Sequence, residues 1–107
     1  MLGKFETINN NDENGNPAGG GVIGRGLDIV WQNGPLGRDE ERQEPNGAFV
    51  ETVIAAALQR IQYYQASRFK CRENALAITK LEEALHWLNS RTARREKQDV
   101  EGTHAGN

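Results

Sequence analysis

The chain has 107 residues, a formal net charge of −2 and 36% hydrophobic residues. This length suffices for one domain and leaves a core that is marginal by itself, so association between copies is expected. The slightly acidic balance argues against a binder of DNA or RNA polymers, since such proteins are usually basic. We find no apolar run of the length that a membrane span or a signal peptide requires. A single cysteine, Cys71, excludes a disulfide within the chain and suits a reducing cytosol.

The first third of the chain predicts short strands joined by turns. Residues 4–8, 21–25 and 27–32 are predicted as strands, with the clearest alternation of faces in residues 27–32, and Gly24 and Gly26 predict a bulge or a tight connection. Residues 9–21, NNNDENGNPAGGG, predict a mobile loop, and residues 36–46 a charged one. The result is a small antiparallel sheet that needs a helical layer to cover it.

A first helix is predicted to start at Asn46, a good cap, and to end near Ala66. One apolar seam repeats along it at spacings of four and three. Its members are Val50, Ile54, Ala57, Ile61 and Tyr64.

A second helix is predicted from about Lys70 to about Lys97, after a turn at residues 67–69. Its seam has the same spacing, which keeps the members on one face. They are Asn74, Ile78, Leu81, Leu85, Leu88, Thr92 and Arg95. The seam is apolar in the middle and polar at both ends. Polar ends add little to helix packing and suit a pocket for a polar, anionic ligand.

The expected fold is therefore α+β: a small N-terminal antiparallel β-sheet followed by a long antiparallel two-helix hairpin that oligomerises through its helices. Residues 1–45 form the glycine-rich sheet region, and residues 46–107 form the hairpin with a short polar tail, in one compact domain overall. The longer second helix overhangs its partner and carries three arginines beyond it, which offers a docking place for another subunit. These are Arg91, Arg94 and Arg95.

Catalytic and metal-dependent functions find little support in the residue patterns. The glycine-rich stretch at residues 19–26 lacks both phosphate-loop patterns. Cys71, His86 and His104 have no paired metal-ligand spacing, and no serine or cysteine sits in a base-assisted motif. We therefore expect no enzyme, no metal and no cofactor.

A binding set remains, in two groups at the two ends of the second helix. Arg91 and Arg95 share a face at one end, and guanidinium groups suit phosphate. At the hairpin turn lie aromatic, basic and amide side chains that can stack on a base or bind a phosphate or ribose. They include Tyr64, Arg68, Phe69 and Asn74. Seventeen residues of helix separate Asn74 from Arg91, about 25 Å, so one hairpin cannot close both groups around a small ligand.

Two hairpins packed antiparallel can close them, because the turn of one then lies beside the overhang of the other. This predicts a composite site between subunits. The alternative is that the aromatic side chains are core and the arginines are solvated on a helix face.

Three segments resemble the phage Thoeris anti-defence sponge family, whose hairpin is shared with phage anti-CBASS cyclic-nucleotide sponges. They read NPAGGGVIGRGLDIVWQNGPLG, NGAFVETVIAAALQRIQYYQ and ENALAITKLEEALHWLNSRTARREKQDVEGTH. The resemblance implies a non-catalytic protein that captures cyclic ADP-ribose isomers, glyco-cyclic forms included, and in some members CBASS cyclic di- or trinucleotides. It also implies a homo-oligomer built on dimers, often a hexamer, with pockets between protomers, acting in the cytoplasm of the infected bacterial host.

Matched residue by residue, the resemblance implies a role for each predicted ligand residue. Tyr64 matches the stacking aromatic, with Phe69 as the second choice, and Asn74 matches the polar residue that opens the second helix. Arg91 and Arg95 match the phosphate-binding arginines, and Gly102 and Thr103 match the terminal segment that closes on the ligand. Trp31 and the loop at residues 38–42 are expected to form a lid.

Two other functions remain open from the residues alone. One is an enzyme that degrades the same nucleotides, which the lack of an acid–base or metal constellation disfavours. The other is a helical protein-interaction module or small phage regulator without a nucleotide ligand.

Overall fold

The computed structural model describes residues 3–97. It contains a three-stranded antiparallel sheet in the order β1-β2-β3, followed by two helices. The elements are β1 (Phe5–Asn11), β2 (Pro17–Gly24), β3 (Leu27–Trp31), a 3-10 turn (Asp39–Glu41), α1 (Val50–Gln65) and α2 (Arg72–Lys97). The described chain divides into two compact units, a sheet unit that ends at Phe49 and a helical hairpin that begins at Val50. The predicted α+β fold with a sheet before a hairpin is confirmed.

The predicted mobile loop at residues 9–21 is wrong, because most of this segment belongs to β1 and β2. Asp12 closes the short turn between them. Its carboxylate accepts hydrogen bonds from the backbone amides of Asn14 and Asn16, each at 2.9 Å, and its own amide donates to the carbonyl of Asn16. The strand predicted at residues 4–8 is present and continues to Asn11 as β1, and every residue of this strand is exposed.

The glycines of β2 allow neighbouring backbones to approach closely. Gly20 has a φ of +134°, and a Cβ at this position would clash with the carbonyl oxygen of Ile8 on β1. Gly21 pairs with Ile8 on one side and Val30 on the other, and a Cβ here would lie 2.7 Å from the carbonyl oxygen of Ile29. The glycine run is therefore required by the sheet itself.

Of the bulge and the tight connection predicted at Gly24 and Gly26, the structure has the tight connection. Gly24 pairs with Leu27, which leaves a two-residue turn in which Gly26 has a φ of +72°. Along β3, Ile29 and Trp31 are half-buried on one face, whereas Val30 is 60% exposed on the other. The alternation predicted for this strand is therefore present.

The predicted helix start at Asn46 is wrong, because α1 begins at Val50. Asn46 instead braces the end of the sheet. Its side chain accepts a hydrogen bond from the amide of Asn33 at 2.8 Å and donates to the carbonyl of the same residue at 3.1 Å. Two residues later, Ala48 forms a parallel bridge with Trp31. Residues 46–49 therefore extend the sheet unit and do not cap a helix.

In the hairpin, α1 packs against α2, and the observed seam of α1 differs from the predicted one. Ile54 and Ile61 are half-buried as expected, but the most buried side chain is Leu58, at 8% exposure. Val50 and Tyr64 are 49% and 39% exposed. The seam therefore follows Ile54, Leu58 and Ile61, and Tyr64 lies beside it.

The seam predicted for the second helix is confirmed, since all seven of its members are half-buried on α2. The helix starts at Arg72, two residues later than predicted. Its other face exposes two large apolar side chains, Leu76 at 47% and Trp87 at 64%. Among residues 3–97, neither helix combines the length and the apolar content that crossing a bilayer requires.

Candidate functional site

The C-terminal part of α2 carries basic side chains on the face that packs against α1. Arg91 is half-buried, and one of its terminal nitrogens lies 3.4 Å from a carboxylate oxygen of Glu51 in the first turn of α1. Its Nε atom is buried and donates no hydrogen bond to any residue in the described chain. Arg95, one turn further along, is also half-buried. A buried donor of this kind suits an anionic acceptor supplied by a ligand.

The prediction that three arginines of α2 lie beyond the end of α1 is wrong for Arg91. Arg91 contacts α1 through Glu51, so it is neither beyond the partner helix nor unpartnered in a single chain. The part of α2 that extends past this contact runs to Lys97, six residues or about 9 Å further. Arg94 and Arg95 lie within it.

At the other end of α2, the turn is held by a side-chain amide. Gln65 accepts a hydrogen bond from the backbone amide of Cys71 and donates one to its carbonyl, both at 3.0 Å. The exposed thiol of Cys71 accepts a hydrogen bond from the amide of Asn74, the position that an N-cap side chain contacts. Cys71 is therefore the cap of α2.

Asn74 is half-buried in the first turn of α2. Its side-chain nitrogen lies 3.5 Å from the carbonyl oxygen of Phe69, at the outer limit of a hydrogen bond. This weak internal contact leaves the amide with capacity for another partner.

Two arginine–aromatic stacks lie near the turn. The guanidinium carbon of Arg60 lies 4.8 Å from the ring centre of Tyr64 and 5.0 Å from that of Tyr63. Its Nε also donates a hydrogen bond of 3.0 Å to the hydroxyl of Tyr64. Arg68 stacks over Phe69 at 4.8 Å, and Phe69 is 62% exposed. The alternative that these aromatic side chains form the core does not hold for Tyr63, Tyr64 or Phe69.

The expected lid residues belong to the sheet unit. Trp31 is half-buried at the end of β3, where it pairs with Gly20. The loop at residues 38–42 is exposed and contains the 3-10 turn, in which Asp39 has a φ of +52°. Gly102 and Thr103 lie outside the described residues.

The sheet unit also has an open concavity of about 570 Å³. Residues of all three strands line it, including Ile8, Gly20, Val30 and Trp31. Of the predicted ligand residues within the described chain, Trp31 alone lines it.

The predicted ligand residues of the hairpin lie in two groups, one at each end of α2, as expected from the length of the helix. Tyr64, Arg68, Phe69 and Asn74 lie around the turn, and Arg91 and Arg95 lie near the far end of α2. Because α2 is continuous, Asn74 and Arg91 are about 25 Å apart along its axis. Within residues 3–97, no group of three histidine, cysteine or acidic side chains is placed to hold a metal ion.

The residue patterns did not point to Arg60, Gln65 or Glu51. For Arg60 a signal was present, because Tyr63 and Tyr64 follow at the i+3 and i+4 positions that meet on a helix. The contacts of Gln65 and Glu51 depend on how the two helices are joined, which the spacing of residues does not specify.

Comparison with known proteins assigns the hairpin to a family. The family model described as Acb2/Tad1, hairpin domain, matches residues 24–93, and the chain belongs to this family. A curated relative, Thoeris anti-defense 1 from Bacillus phage SBSphiJ7, is 64% identical over 76 residues. The alignment covers 71% of this chain and 51% of the relative, so the chain spans about half the length of the curated relative that it matches.

Proposed function

We propose that this protein is an anti-Thoeris sponge, a non-catalytic binder that sequesters cyclic nucleotide immune signals inside an infected bacterium. The ligands are cyclic ADP-ribose isomers, including glyco-cyclic ADP-ribose, with CBASS cyclic di- or trinucleotides as a second class. Membership of the hairpin family and the name of the phage relative support this function.

The observation that carries the proposal is the placement of two complementary groups at opposite ends of one helix. Arg91 and Arg95 supply guanidinium groups for phosphate, and Arg91 retains a buried Nε donor. Tyr64 offers an exposed ring for stacking on a base, and Asn74 an amide with a weak internal contact.

Antiparallel packing of two hairpins would join these groups, since it places the turn of one copy beside the basic end of the other. The pocket therefore requires a homo-oligomer, built on dimers and expected to be a hexamer. Exposed apolar side chains on both helices, among them Val50, Leu76 and Trp87, supply surface that association can bury. Arg68, Phe69, Trp31, Gly102 and Thr103 complete the proposed ligand set.

Native mass spectrometry with and without a cyclic ADP-ribose isomer tests the proposal. We expect an oligomer that gains a fixed number of ligand molecules, and denaturation should release them with unchanged mass. Recovery of altered nucleotide would instead indicate a degrading enzyme. A single unassociated chain at micromolar concentration would exclude the composite pocket.

A thermal-shift panel of cyclic nucleotides separates the sponge from a helical interaction module. Ligand binding stabilises the folded state by about 2.7 kcal/mol when the free ligand is at a hundred times its Kd. A protein-interaction module would show no shift with any nucleotide of the panel.

A further inference from the structure

Arg60 stands at the centre of an exposed aromatic cluster on α1, which we call the Arg60 cluster and define as Arg60, Tyr63 and Tyr64. Its guanidinium lies within 5.0 Å of both ring centres, and the two ring centres are 6.0 Å apart. Tyr63 and Tyr64 are 58% and 39% exposed. Both tyrosines thus keep surface available while one cation restricts their motion.

The hydrogen bond within the cluster has a defined direction. Arg60 has no acceptor atom in its side chain, so its Nε must donate and the hydroxyl of Tyr64 must accept. The hydroxyl hydrogen of Tyr64 then points away from Arg60, since the lone pair facing the guanidinium is occupied. Tyr64 therefore presents an exposed donor as well as a ring face.

No carboxylate among the described side chains of the hairpin forms an ion pair with Arg60, and its i±3 and i±4 neighbours are alanines and tyrosines. The guanidinium therefore adds positive charge beside the exposed tyrosines, which favours a negatively charged ligand over a neutral one.

We propose that Arg60 is a positioning residue for ligand capture, acting through Tyr64. It fixes the phenol so that the ring stacks on a base while the hydroxyl donates a hydrogen bond to an acceptor on the same ligand, a phosphorylated purine nucleotide. This inference rests on the proposed function, and it goes beyond it by assigning to Tyr64 a polar contact that a phenylalanine could not make.

A double-mutant cycle, measured by calorimetric titration with a cyclic ADP-ribose isomer, tests the ligand-dependent part. Arg60→Met should weaken binding about tenfold, and Tyr64→Phe by about three- to tenfold, the range of one hydrogen bond with its supporting stack. Because Arg60 acts through the hydroxyl, Arg60→Met should weaken binding less than threefold in the Tyr64→Phe background. The proposal would be overturned if the loss of affinity in the double variant equalled the product of the two single losses, since Arg60 would then act on the ligand independently of the Tyr64 hydroxyl.

Two controls separate positioning from charge and from folding. Lys80→Met removes an exposed cation on α2 that forms an ion pair with Glu83 at 3.8 Å, and binding should change less than twofold. Arg60→Lys keeps the charge but cannot reproduce the planar stack and the directed Nε–H, so it should not restore binding.

A measurement without ligand keeps the inference independent of the proposed function. Nuclear magnetic resonance of the free protein should show an Arg60 Nε–H protected from solvent exchange, and Tyr64→Phe should abolish that protection. Absence of protection in the unmodified protein would overturn the inference even where the nucleotide binds. If the protection is present and no nucleotide binds, the proposed function fails, and with it the role of Arg60 in capture.

Discussion

Arg91 and Glu51 join the two helices of the hairpin, with a guanidinium nitrogen 3.4 Å from a carboxylate oxygen. Both side chains are partly accessible, at 39% and 26% exposure, so solvent weakens the pair. We expect Glu51→Gln to lower the free energy of unfolding by less than about 1 kcal/mol at low salt. Urea unfolding at low and at high salt checks this, and the difference between the proteins should vanish at high salt.

Arg91→Ala should abolish capture without unfolding the hairpin. A charged hydrogen bond contributes about 1.5–3 kcal/mol, so the affinity for a cyclic ADP-ribose isomer should fall by about 10- to 100-fold or more. Calorimetric titration measures the change, and Lys80→Ala serves as the control for loss of one positive charge from α2. An unaltered titration curve for Arg91→Ala would remove this residue from the site.

Asn74→Ala separates a ligand contact from a structural one. Its internal hydrogen bond to Phe69 is long, so the substitution should change the free energy of unfolding by less than about 1 kcal/mol. Capture of the nucleotide should nevertheless fall at least about tenfold, the cost of one well-formed polar contact. Equal losses in stability and in binding would instead identify Asn74 as a residue of the turn alone.

Gln65→Ala should loosen the hairpin turn. The substitution removes two hydrogen bonds to Cys71, each 3.0 Å long, at an exposed position. We expect the free energy of unfolding to fall by about 1–2 kcal/mol. Gln62→Ala, on the exposed side of the same helix, is the matched control and should be near neutral. Equal stability of the two variants in urea would show that the turn does not depend on this amide.

Gly20→Ala should destabilise the sheet unit. The position combines a φ of +134° with a close approach to Ile8, and such strain costs about 1–3 kcal/mol. Hydrogen exchange of the β1 and β2 amides should accelerate accordingly. Gly3→Ala, where a Cβ would meet no heavy atom within 4 Å, should leave these rates unchanged.

The hairpin was predictable because its apolar spacing is long and regular, and all seven members of the α2 seam are half-buried. The N-terminal part was predicted less well. Its first strand continues past the predicted residues 4–8 to Asn11, through asparagines that no hydrophobic pattern marks, and the Asp12 turn resembles a loop in composition. Asn46 has the chemistry of a helix cap, but tertiary hydrogen bonds to Asn33 use it elsewhere.

For the candidate site, the sequence indicates which residues share a helix face, but it does not indicate which side chains contact one another. Spacing alone placed Arg91 and Arg95 on one face, because helical geometry is fixed. It could not show that Arg91 reaches Glu51, since that contact depends on the length and shape of the turn between the helices. The spacing predicts Ala57 in the α1 seam, whereas Leu58 occupies the buried position, because a step of three or of four from Ile54 fits a helical seam equally well.

The short connection between α1 and α2, across which Gln65 hydrogen-bonds to Cys71, sets which side of α2 faces α1. Adding or deleting one residue there would turn every α2 side chain by about 100° about the helix axis. That rotation would also turn the apolar α2 seam, Ile78 and Leu81 included, away from α1, while Tyr64, upstream of the connection, would keep its place. Packing of the hairpin therefore constrains the length of the connection, and the same length decides on which side of α2 the proposed ligand residues lie.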